Sequence, residues 1–178
     1  MKALKPIAAT GFFGDAPSLE GVMARGVTIL GSTGSIGVNT LDVVAHARKI
    51  YGAGAMPLLA LTAQDNVKLL IEQAQAFRPE RAVIGSEALF NELKTGLAGT
   101  GIECTAGREA VIEAARMPAD FVMVAIMGAA AIEPALAAIK RGVIVALANK
   151  ECVVAAGDRK STRLNSSHEL KSRMPSSA

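Results

Sequence analysis

The stretch LGSTGSIG, residues 30–37, sets glycines at 31, 34 and 37 and fills the gaps with Ser32, Thr33, Ser35 and Ile36. Glycines at that spacing let a chain turn sharply and bring its backbone against a pyrophosphate with no Cβ in the way. A helix starting there would offer open N–H groups and a partial positive charge to the anion. The hydroxyls of Ser32, Thr33 and Ser35 would add donors. A tight strand-to-helix turn without a ligand is the plain structural alternative. The surroundings favour the phosphate reading, because an apolar β-branched run precedes the loop and a helical pattern follows it.

Three further stretches hold polar groups where a nucleotide could use them. TAQDN (62–66) follows a second apolar run, where an acidic residue such as Asp65 commonly grips a ribose hydroxyl and favours NAD. Asp65 is equally well placed to cap the following helix. IMGAAAIEP (126–134) contains Gly128, which suits close backbone approach or an ordinary turn. ALANKEC (146–152) ends an almost wholly apolar segment with Asn149, Lys150 and Glu151 in succession. An ion pair or cap made by Lys150 and Glu151 is the structural alternative there. Cys152 has no histidine partner near it in sequence and reads as a small buried thiol. His46 reads as a helix-ending cap, and His168 lies in the tail.

The elements needed to position these groups follow from periodicity. Strands are predicted at 26–32, 56–63, 81–85, 102–106, 120–126 and 143–148, the last two reading as central strands apolar on both faces. Helices are predicted over 35–49, with Ile36, Leu41, Val44 and Ala45 inward, and over 66–77, with Val67, Leu70, Ile71 and Ala74 inward. Further helices are predicted over 87–97, 108–116 and 131–141, the last with Pro134 near its first turn. Strands alternating with helices predict an α/β fold: a Rossmann-like, doubly wound, mainly parallel sheet with helices on both faces.

Composition narrows the function classes. Of 178 residues, 51% are hydrophobic and only 3% aromatic, so the core is built from Ala, Val, Ile and Leu. The net charge of +3 belongs to the tail: residues 1–157 carry 14 Lys and Arg against 14 Asp and Glu, and residues 158–178 carry 5 against 2. The main body therefore presents no basic surplus for nucleic acid. Every apolar run is broken before the roughly 18 residues a membrane span needs. Cys104 and Cys152 make neither a disulfide framework nor a metal cluster, as expected of a reducing cytoplasm. Residues 1–25 read as a disordered leader or as a start placed too early, with Met23 the true one.

Together, VTILGSTGSIGVNTLDVV, ALTAQDNV, VAIMGAAAIEPALAAIKRG and ALANKEC resemble, in order and spacing, the amino-terminal domain of the 1-deoxy-D-xylulose 5-phosphate reductoisomerase family. The resemblance covers Val27 to Gly157. It implies NADPH- and divalent-metal-dependent (Mg²⁺, Mn²⁺ or Co²⁺) conversion of 1-deoxy-D-xylulose 5-phosphate to 2-C-methyl-D-erythritol 4-phosphate in non-mevalonate isoprenoid synthesis, by a cytoplasmic homodimer. It implies that Thr33, Gly34, Ser35 and Ile36 hold the NADPH pyrophosphate and that Gln64, Asp65 and Asn66 lie near the adenosine ribose. Asn149 and Glu151 would contact the cofactor, and Lys150 would reach the substrate.

The chain departs from the family where Gln64 and Asp65 replace a small and a basic residue. An acidic group suits a 2′-phosphate poorly, so the choice between NADPH and NADH stays open. Cys152 stands where the family usually has Ser. The family's metal-binding Asp-Ser-Glu stretch and substrate domain do not follow, so no catalytic or metal-ligating residue is expected here and the fragment is expected to be inactive. Residues 158–178 instead resemble a translated sequencing adaptor or, alternatively, a natural disordered tail. A fragment of another NAD(P)-dependent dehydrogenase and a non-enzymatic dinucleotide-sensing module are the competing readings.

Overall fold

The computed structural model describes residues 21, 23–150 and 152. The expected tail over 158–178 and nearly all of the expected leader lie outside them. The described elements run in strict alternation: β1 (Val27–Leu30), α1 (Ser35–Tyr51), β2 (Leu58–Ala63), α2 (Val67–Phe77), β3 (Arg81–Ile84), α3 (Phe90–Gly96), β4 (Glu103–Ala106), α4 (Arg108–Arg116), β5 (Phe121–Val124), α5 (Ile132–Lys140) and β6 (Ile144–Leu147). Short 3₁₀ turns over Glu87–Leu89 and Ala129–Ala131 lead into α3 and α5. The helix expected over 87–97 is thus a 3₁₀ turn followed by a short α-helix.

The six strands form one sheet in the order β4-β3-β2-β1-β5-β6, and every pairing is parallel. Chain order reverses between β1 and β5, which makes the crevice beyond their carboxyl ends the switch point of the fold. All four residues of β1 and all six of β2 are buried, as strands covered by helices on both faces require. Val27, Ile29, Leu58, Leu61 and Ile84 meet Leu41, Val44, Leu70 and Leu93 from α1, α2 and α3. Leu30, Val83, Val122, Val124 and Val145 meet Ile112, Ala115, Ala135 and Ala138 from α4 and α5. A register irregularity beside Val27 puts Leu59 and Ala60 together in this second core.

Helix ends follow from local chemistry. Asn66 caps α2, its side chain accepting from the Leu69 N–H at 3.2 Å. That helix stops at Arg78, in the left-handed region at φ 52, directly before Pro79. Helix α1 carries Arg48 and Lys49 in its last turn and ends on Gly52, whose N–H donates to Arg48 O at 3.0 Å. Burial pushes the Arg48 guanidinium below its ordinary pKa. It donates to the carbonyls of Ala55, Met56 and Phe77, tying the α1–β2 turn to the end of α2.

Three sequence expectations are corrected. Ile36 and Ala45 are exposed, because α1 buries Gly37, Leu41, Val44 and Ala47, and both expected residues lie about 90° from the centre of that arc. Ile71 is half-buried and packs against the core as expected, and Gln73 also takes a buried place on α2. His46 is an exposed mid-helix residue, since α1 runs on to Tyr51. Strand β5 is internal, but β6 is an edge strand among the described residues, with Ile144 exposed. Apolar content alone does not tell an edge from an interior position.

Candidate functional site

The loop after β1 is built by three glycines with three different tasks. Gly31 sits at φ +88, a conformation that side-chain-bearing residues rarely adopt. A Cβ on it would lie 2.9 Å from the carbonyl carbon and oxygen of Ala125, at the end of β5. Gly37 has ordinary helical geometry, but a Cβ there would meet Gly31 O and come within 2.5 Å of Ser32 Cα. It lets the helix seat directly on the loop. Gly34 is the N-cap of α1, and its virtual Cβ has nothing nearer than 3.6 Å. The N-cap therefore has no side chain to satisfy the first-turn N–H groups, and they stay open. No acidic residue lies in that turn to compete with an incoming anion.

The loop is bolted to β2. Gly31 and Ser32 N–H both donate to Thr62 O, at 3.1 and 2.7 Å, and Gly31 N–H also reaches Thr62 Oγ1 at 2.9 Å. Ser32 is fully buried, and its hydroxyl donates to Gln73 Oε1 at 2.7 Å. This corrects the expectation that Ser32 offers a donor to a ligand: its polar atoms are spent inside. Thr33 is half-buried, while Gly34, Ser35 and Ile36 are exposed at the crevice.

Gln64, Asp65 and Asn66 are exposed at the carboxyl end of β2, next to the loop that Thr62 anchors. Between the two roles open to Asp65, the cap falls to its neighbour Asn66. The Gln64 side chain lies across Gly85, where a Cβ would come within 2.8 Å of its Cδ.

At the ends of β5 and β6, Asn149 is 6% exposed, and its Nδ2 donates to Ile126 O at 2.9 Å and Gly128 O at 3.0 Å. It clamps the loop beyond β5. Gly128, at φ +71 with open space around it, is there for backbone conformation, and the adjacent Met127 is 89% exposed. Lys150 is exposed at the start of a helical segment, and Glu151 lies outside the described residues. Cys152 is buried in the core shared with α4 and α5. Cys104 is half-buried; burial, and secondarily Glu103, raise its thiol pKa, while Lys94 works the other way.

The structure thus brings the 33–36, 64–66, 126–128 and 149–150 groups to the carboxyl edge of one sheet. Sequence reasoning missed the parts played by Gln73 and Thr62. Gln73 left a readable trace, a polar residue on the apolar arc of Val67, Leu70 and Ala74. Among the described residues, no group of three or more His, Cys, Asp or Glu side chains is placed to hold a metal ion. No helix among them is long and apolar enough to cross a membrane.

The model of the 1-deoxy-D-xylulose 5-phosphate reductoisomerase family matches residues 27–157. The reductoisomerase of Rhodospirillum centenum is 53% identical over 134 residues, covering 75% of this chain and 32% of the relative. That of Rhizobium rhizogenes is also 53% identical, with 75% and 33% covered. The chain therefore spans about a third of the length of these curated relatives. Among solved structures, the Zymomonas mobilis reductoisomerase in complex with NADPH superposes with a TM-score of 0.70 at 47% identity, covering 75% of this chain and 34% of that one. A reductoisomerase in complex with NADPH, fosmidomycin and magnesium gives 0.67 at 34% identity, covering 75% and 32%. The chain belongs to the 1-deoxy-D-xylulose 5-phosphate reductoisomerase family.

Proposed function

We propose that residues 27–157 form the NADPH-binding part of a 1-deoxy-D-xylulose 5-phosphate reductoisomerase. The observation that carries this reading is the loop at the switch point. Gly31 and Gly37 lock the backbone while Gly34 leaves the first turn of α1 uncapped and uncovered. That arrangement suits a pyrophosphate. The family match over 27–157 and the NADPH held by the Zymomonas mobilis relative support the choice of ligand.

In this reading Thr33, Gly34, Ser35 and Ile36 hold the pyrophosphate, Thr33, Ser35 and Ile36 through backbone N–H groups and Gly34, whose own N–H donates to Gly31 O at 3.3 Å, by leaving room for its approach. Gln64, Asp65 and Asn66 border the adenosine ribose. Asn149 shapes the loop beyond β5 against which the cofactor rests, and Glu151 contributes beside it. Lys150, exposed beside the crevice, carries positive charge toward the phosphorylated substrate. Bound NADPH supplies a hydride, and the chain's own residues orient it. No metal-assisted step is assigned to the described residues. The whole enzyme acts as a cytoplasmic homodimer. The reading assigns no role to residues 1–25 or 158–178.

Titration of the 178-residue chain with NADPH, followed by nicotinamide fluorescence, tests it. Saturable binding that competes with NADP⁺ is expected. A folded chain that leaves the signal unchanged would overturn the proposal.

A further inference from the structure

Helix α2 supplies a residue to the phosphate loop that the glycine pattern does not announce. Gln73 is 6% exposed and lies 41 residues beyond Ser32. Both ends of its amide are used on that one residue: Oε1 accepts from Ser32 Oγ at 2.7 Å, and Nε2 donates to Ser32 O at 3.0 Å. The second bond has a geometric consequence. A trans peptide is planar, with its C=O and N–H pointing in opposite directions, and the described residues contain no cis bond. Turning the Ser32 carbonyl inward onto Gln73 therefore turns the Thr33 N–H outward. Thr62 holds the preceding peptide groups from the other side, through Gly31 and Ser32 N–H. The Ser32–Thr33 peptide is thus gripped and cannot flip at low cost.

We infer that Gln73 is a positioning residue for pyrophosphate binding: it never touches the ligand, but it orients the Thr33 N–H toward the phosphate position. This rests on the dinucleotide reading proposed above. Without Gln73, the Ser32 carbonyl loses its buried donor and the peptide is free to rotate. The loop then presents an acceptor to an anion where it should present a donor.

The test compares the wild-type 178-residue chain with Gln73→Met, which keeps the volume and removes both hydrogen bonds. Two probes are titrated, NADPH and 2′-AMP, the latter carrying the 2′-phosphate but no pyrophosphate. Losing one hydrogen bond to a charged group is worth roughly a 10- to 100-fold change, and NADPH affinity should fall by that factor. The 2′-AMP affinity should stay within about twofold, whereas a general loss of structure moves both probes together. Equal NADPH affinity in the variant, or parallel loss of both ligands, overturns the inference. Failure of the wild type to bind NADPH overturns the dinucleotide reading and takes this inference with it. Amide hydrogen exchange in the wild type keeps the question open to test if Gln73→Met does not fold. The Thr33 N–H should exchange freely without ligand and become protected with NADPH; a Thr33 N–H already protected in the free chain overturns the inference.

Discussion

Gly37→Ala sets two known effects against each other, and the structure decides between them. Gly37 has no positive φ, so alanine is conformationally allowed, and glycine-to-alanine in a helix ordinarily stabilises by about 0.5–1 kcal/mol. Here the added Cβ would meet Gly31 O and lie 2.5 and 2.6 Å from Ser32 Cα and its carbonyl carbon. These are backbone atoms and cannot rotate away. Nor can the loop retreat, since Thr62 holds it on one side and Ala125 abuts Gly31 on the other. Overpacking costs about 1–3 kcal/mol, and a clash against fixed backbone atoms falls in the upper part, about 2–3 kcal/mol, so it outweighs the helix gain and the net destabilisation is about 1–2.5 kcal/mol. In a domain of this size that lowers Tm by roughly 3–10 °C. Gly34→Ala is the paired variant, because its Cβ meets nothing closer than 3.6 Å. Its stability should change by less than about 1 kcal/mol, the difference between Gly and Ala at an N-cap. Its NADPH affinity should fall at least about tenfold, because the methyl stands in the open first turn where the pyrophosphate approaches. Thermal and urea melts read the first effect, and nicotinamide fluorescence reads the second. A Gly37→Ala chain that melts at or above the wild-type temperature refutes the packing argument.

Other expectations follow from single contacts. Asp65→Asn removes an exposed carboxylate from the ribose side and should raise NADPH affinity about three- to tenfold, more at low salt, with NADH little changed. A selective loss of NADH affinity would mark Asp65 as a ribose-hydroxyl reader instead. Asn149→Leu removes the side-chain donors to the part-buried carbonyls of Ile126 and Gly128 and should cost about 1–3 kcal/mol in urea unfolding; an unchanged midpoint would show that the clamp carries nothing. The raised thiol pKa of Cys104 leaves less thiolate at neutral pH than an ordinary cysteine has. Its alkylation in the folded chain should be slow near neutrality and climb with pH beyond the range where a free thiol has levelled off. Cys152, in the core, should react only on unfolding.

What could be read from the sequence and what could not divide along physical lines. The strand–glycine–helix unit at 26–49 is local: β-branched residues, a glycine turn and a helical stripe adjoin one another, so the loop and its position could be read directly. The phase of α1 could not be. It is set by the contact of Gly37 with Gly31 and Ser32, and that contact turns Ile36 and Ala45 outward. The internal use of the Ser32 hydroxyl depends on Gln73, and the role of Asn149 depends on Ile126 and Gly128; separations of 41, 23 and 21 residues put these partners beyond any local pattern. Asp65 and Asn66 are neighbours with equal capping chemistry, and only the backbone entering α2 selects Asn66. The place of β6 at the edge is likewise a matter of sheet order, on which an apolar strand is silent.

Amide chemical-shift mapping of the 178-residue chain with NADPH tests most directly whether a dinucleotide lies across the carboxyl ends of β1, β2 and β5. The largest shifts are expected at residues 33–36, with further shifts at 64–66 and 126–128, and little change on the outer faces of α4 and α5. A folded chain whose shifts fall on those outer faces, or one with no shifts at saturating NADPH, would contradict it.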